Sequence, residues 1–208
     1  MKIIKPAGIL LLLSPMLIAA QQKPDALVLY ANGYYQEAID ICRQELVEKP
    51  YNTDSHSVLG WALLKLGEYG AALQQARTAL AFAGSDPRIL EIEAEALFFL
   101  GQIESSLERF EMYAALAPNG DRIESVYYFM GECFISLNEY DNADIAFSAA
   151  VYRFENSALW WTRLGYAREM GGEYAWSRAA YEKALRLNPT QQEALRGMQR
   201  VDQHLRGE

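Results

Sequence analysis

The side chains able to do chemistry are few in this chain, and they are poorly placed for it. There are two histidines, His56 and His204, far apart in the sequence, so one chain cannot bring several imidazoles to a metal ion. His56 falls where an apolar residue is usual and is expected to be packed. Gly171-Gly172 lacks the following Lys-Ser or Lys-Thr of a phosphate-cradling loop. No serine occupies a nucleophile-elbow sequence. Glu91, Glu93 and Glu95 alternate along a helical stretch, where carboxylates more readily solvate a surface than share a proton. No catalytic residue, metal or cofactor is therefore expected. What remains is the chemistry of recognition, and the residues suited to it recur at intervals.

The interval is the dominant feature of the chain. Tyr35, Tyr69, Ile103, Tyr140 and Tyr174 are spaced 34, 34, 37 and 34 residues apart, which predicts a stack of small units. Three residues after each marker stands a small residue: Ala38, Ala72, Ser106, Ala143 and Ser177. Four further on come Cys42, Ala76, Phe110, Phe147 and Tyr181. Upstream of the last four markers lie Leu59-Gly60, Glu93-Ala94, Met130-Gly131 and Leu164-Gly165. Apolar residues at helical spacing, such as Leu90, Ala94, Leu97 and Leu100, predict one helix, and Ile103, Leu107, Phe110 and Tyr113 predict the next. Gly101 between them suits a left-handed helix end. Asp86-Pro87 predicts a capped helix start, and Thr190 with Glu193 predicts a capping box that opens a last helix. That helix places Leu195, Met198, Val201 and Leu205 on one side, as a terminal cap needs.

On these residues the chain resembles the tetratricopeptide-repeat (TPR) family from about Pro24 to Gln191. The fifth unit matches best, with Trp161, Leu164, Gly165, Ser177, Tyr181, Ala184 and Pro189 in phase. Arg168 and Ala76 depart from the pattern, and the longer interval places three extra residues around Asp121 to Ile123. The resemblance implies an all-α, right-handed superhelical solenoid of helix-turn-helix units at about 24–52, 53–86, 87–120, 121–157 and 158–191, closed by a capping helix over 192–208. It also implies that the first helix of each unit lines a concave face that holds a peptide or helix. By register that face takes Leu27 and Tyr30, then Ser57, Trp61 and Leu64. Glu91, Glu95 and Phe98 follow, then Tyr128, Glu132 and Ile135, and lastly Thr162, Tyr166 and Glu169. TPR domains that grip acidic chaperone tails present Lys, Arg and Asn there. This face is instead aromatic and acidic, and a basic, partly apolar protein or peptide is the expected partner. A homo-oligomeric transport or envelope accessory, docking on a solute-binding protein or cradling an apolar ligand, is the alternative.

Composition limits compartment and partner. Lys2 and Lys5 precede an apolar run from Ala7 to Ala20, after which Gln21-Gln22-Lys23-Pro24 turns polar. This is the layout of a signal peptide over residues 1–20, cleaved near Ala20. The run falls short of the roughly 20 residues that span a bilayer. An exported, periplasmic protein with no stable membrane span is expected. Removing residues 1–20 takes the formal charge from −8 to −10, against nucleic-acid binding, which needs a clustered basic surface. Cys42 and Cys133 lie five helix steps apart, each about 8–10 Å, beyond the reach of about 7 Å that a disulfide allows.

Overall fold

Each helical hairpin turns at a residue that leaves the right-handed region. Gly33, Gly67, Gly101, Asn138 and Gly172 all have positive φ, between 60° and 83°, a conformation that costs glycine least. At the second turn the Gly67 N–H donates to the Leu64 carbonyl and the Glu68 N–H reaches back to Leu63. The other four turns repeat that paired bond, which satisfies carbonyls the helix end leaves open. Asn138 is the non-glycine member, and its side-chain oxygen accepts from the Tyr140 hydroxyl at 2.9 Å.

The computed structural model describes residues 25–207. Its helices are α1 (Ala26–Ala31), α2 (Tyr35–Glu48), α3 (Thr53–Lys65), α4 (Tyr69–Ala83), α5 (Pro87–Phe99), α6 (Ile103–Leu116), α7 (Ile123–Ser136), α8 (Tyr140–Arg153), α9 (Ala158–Met170), α10 (Tyr174–Leu187) and α11 (Gln192–Arg206). They form an all-α, right-handed superhelical solenoid with α11 as its closing helix. The expected signal segment lies outside the described residues. Each helix packs on the next, and odd-numbered helices also touch across units, α3 on α5 and α9 on α11. The odd helices therefore form the inner layer. The extra residues of the third interval fall in the junction 117–122, where other junctions use 49–52, 84–86, 154–157 and 188–191.

Glycine and ring interlock within units. A Cβ on Gly131 would lie 2.6 Å from the Phe147 ring, and one on Gly165 2.6 Å from Tyr181. The small residue permits the close approach and the ring fills the seam. Where Ala76 stands in place of a ring, Ile92 of α5 fills the space over Gly60 instead. Ser106 and Ser177 add a buried bond, donating to the carbonyls of Ala94 and Gly165 at 2.8 and 2.7 Å.

Two local expectations meet different outcomes. Asp86 caps α5, accepting from the Arg88 N–H at 3.0 Å with Pro87 at the first helical position. The capping box at Thr190 does not form: α11 starts after Gln191 with no side-chain cap. Thr190 instead bonds Asn188 through both its N–H and its hydroxyl. Cys42 and Cys133 are buried in separate core clusters. Burial pushes the Cys133 thiol up to about 11, and its sulfur lies 3.7 Å from the Ser106 hydroxyl.

Candidate functional site: the concave face

The inner layer sorts the expected groove residues by depth. The leading position of α3, α5 and α9 belongs to the seam and not to the groove. Ser57, Glu91 and Thr162 are all buried, and the two hydroxyls turn back to the carbonyls of Thr53 and Ala158. Leu64 and Glu95 are buried as well. Tyr30, Trp61, Phe98, Tyr128, Glu132, Ile135, Tyr166 and Glu169 are part-exposed, and Leu27 is open.

The carboxylates of this face already have partners. The Arg122 guanidinium, at the start of α7, donates to Glu91 and, at 3.0 Å, to Glu95. Arg163 of α9 grips Glu132 of α7 with two parallel bonds of 2.6 and 2.7 Å. Arg200 of α11 holds Glu169 of α9, one bond measuring 2.8 Å. Each arginine stands 31 residues after its glutamate, one unit along the array. The rung shifts one helical turn per unit, from the first groove position to the second and then the third, so the ladder runs diagonally across the face. Fork-on-carboxylate pairing fixes orientation as well as charge.

This corrects the expected acidic groove. Glu91, Glu95, Glu132 and Glu169 do not offer free negative charge, because the next unit covers each with a guanidinium. The Glu91 side chain is 1% exposed and that of Arg122 36%; for Glu169 and Arg200 the figures are 8% and 48%. The solvent-facing layer over units three to five is thus arginine above buried carboxylate. Burial, and then the charge of Glu95, push the Glu91 carboxyl up to about 8 against the pull of Arg122. The Glu91 Oε2 also accepts from the Trp61 indole N–H at 3.3 Å.

The aromatic residues are also tied together. Tyr30 lies 6.1 Å from Trp61 between ring centres. Phe98 packs edge-on against Phe129 at 5.4 Å, and Tyr128 stacks on Trp160 at 5.2 Å. The Arg163 guanidinium sits over the Tyr166 ring at 5.2 Å. Tyr181 donates to Glu169 at 2.7 Å, so α9, α10 and α11 share one network. Sequence reasoning missed Arg122, Arg163 and Arg200. The 31-residue glutamate-to-arginine interval was the available signal.

One part of the face keeps unbalanced charge. A cleft of about 600 Å³ opens where α1, α3 and α5 begin, bounded by Asp25, Leu27, Glu45, Asp54, Trp61 and Arg88 among others. Asp25 caps α1, accepting from the Leu27 N–H at 2.8 Å, and Glu45 accepts from the Ser55 hydroxyl at 2.7 Å. Asp54 pairs with Arg88 at 2.6 Å, and Arg88 also holds Asp86. Three carboxylates thus face one shared guanidinium beside a part-exposed indole.

Models of the tetratricopeptide repeat match residues 57–121, 124–157 and 158–191. No curated protein matches the chain. Among solved structures, Pseudomonas aeruginosa pilF superposes at a TM-score of 0.74 with 18% identity, over 87% of this chain and 81% of its own. YrrB, described as a TPR protein with an unusual peptide-binding site, gives 0.67 and 16% over 84% and 88%. MamA 41-end from Desulfovibrio magneticus RS-1 gives 0.68 and 17% over 80% and 92%. Identities at this level speak to the fold.

Proposed function

Because this chain belongs to the tetratricopeptide-repeat family, we propose that it is a non-catalytic scaffold holding a protein or peptide segment. The segment enters at the cleft beside Trp61. Its basic group meets Asp25, Glu45 and Asp54, and its apolar part covers Trp61, Tyr30 and Leu27. The observation that carries this reading is the contrast along one face: the carboxylates of units three to five are closed by the arginine ladder, whereas the first cleft retains excess negative charge. The peptide-binding site of YrrB, a protein of the same fold, supports the same class of ligand. Lys2, Lys5 and the apolar run to Ala20 support export, which would place the scaffold in an extracytoplasmic complex.

Capture from the native envelope fraction tests the proposal. Bait carrying Trp61→Ala should lose the partner that wild-type bait retains, because a desolvated aromatic anchor contributes about 2 kcal/mol or more. Glu111→Lys, on the exposed side of α6, should retain it. Equal recovery by wild type and Trp61→Ala, with both folded by circular dichroism, sinks the cleft as the site.

A further inference from the structure

The two ends of the solenoid differ in a way the groove does not explain. Position 28 has equivalents at Ala62, Ala96, Cys133, Ala167 and Val201, and every one of them is fully buried. Around Cys133, Ala167 and Val201 the buried cluster includes a ring of the preceding helix, Phe110, Phe147 and Tyr181 in turn. Val28 is 56% exposed, beside Leu27 at 52%. Among the described residues the array therefore begins on an open seam, continuous through Ala26 with the first core cluster. At the other end α11 buries Ala194, Gly197 and Val201 but leaves Leu195 37% and Leu205 50% exposed. Arg196 and Arg206 stand exposed beside those leucines.

Charge divides the same way. Residues 25–86 carry eight acidic and four basic side chains, net −4, while residues 158–207 carry five and eight, net +3. Opposite ends that each expose a few apolar side chains inside a field of opposite sign are complementary to one another and not to themselves. We propose that the chain associates head to tail: the outer face of α11 in one copy lies on the α1 seam of the next. Leu195 and Leu205 cover Val28 and Leu27, while Arg196 and Arg206 approach the acidic first units. Such an interface is heterologous, so it propagates to a ring or an open filament. It shares Leu27 with the rim of the cleft but lies outside the arginine ladder, and it does not depend on the groove reading.

The test is sedimentation velocity of the full chain over a concentration series at low and high salt. Wild type should form species larger than a dimer, and association should weaken about tenfold or more as salt screens the opposed ends. A head-blocked variant, Val28→Glu, and a tail-blocked variant, Arg196→Glu with Arg206→Glu, should each be monomeric alone. Their mixture should give a one-to-one dimer and nothing larger, since only one intact pair of ends remains. Trp61→Ala should associate like wild type, which separates failure here from failure of the groove. A wild type that stays monomeric throughout overturns the proposal, as does a dimer unaffected by either block.

Discussion

Glu91 concentrates the energetic tension of the molecule in one side chain. It is almost fully buried, shares Arg122 with Glu95, and its carboxyl is pushed up to about 8 from an ordinary 4.5. Between those two values the folded chain holds a proton that the unfolded chain has released. Folding therefore takes up a proton there, and stability falls as pH rises from about 5 to about 8, then levels. Urea unfolding midpoints measured across that range should show the decline. Glu91→Gln, which keeps an acceptor for Trp61, should flatten it; an unchanged slope would place the proton elsewhere. Removing Arg122 has the opposite character. Arg122→Met leaves the buried Glu95 carboxylate without its guanidinium, and the cost should be about 3–5 kcal/mol at neutral pH.

At the scale of elements, the hairpins were legible because their determinants are local. A glycine or asparagine at each turn, a small residue facing a ring, and Asp86-Pro87 at a helix start lie within one unit, and repetition makes each visible. Thr190 and Glu193 show the limit of local reading, since Asn188 competes for the threonine and the capping box is not made. The sign of the groove was not legible from register alone. Glu132 and Glu169 look like open acids until α9 and α11 bring Arg163 and Arg200 over them, and that pairing depends on how far each unit is displaced along the next. The interlock gives a paired prediction. Gly165→Ala forces a methyl into the Tyr181 ring and should cost about 1–3 kcal/mol in chemical denaturation. Gly70→Ala, a helical site with nothing within 4 Å, should be neutral or stabilising by up to about 1 kcal/mol.

Across the whole molecule, charge runs from an acidic first half to a basic last unit, and the inner face changes character with it. Near α1 and α3 the face is an acidic, aromatic cleft; from α5 onward it is a neutralised ladder that stiffens the stack. A binding segment is therefore expected to start at Trp61 and not at the centre of the superhelix. The contrast is measured with two peptides of identical apolar sequence, one bearing two lysines and the other two glutamates, titrated calorimetrically into wild type and into Asp25→Asn with Asp54→Asn. Asparagine still caps a helix, so the double variant removes charge and leaves α1 intact. The lysine peptide should bind wild type at least about tenfold more tightly than the glutamate peptide, and the double variant should lose most of that preference. Equal binding of both peptides, or a preference that survives in the double variant, contradicts recognition at the cleft.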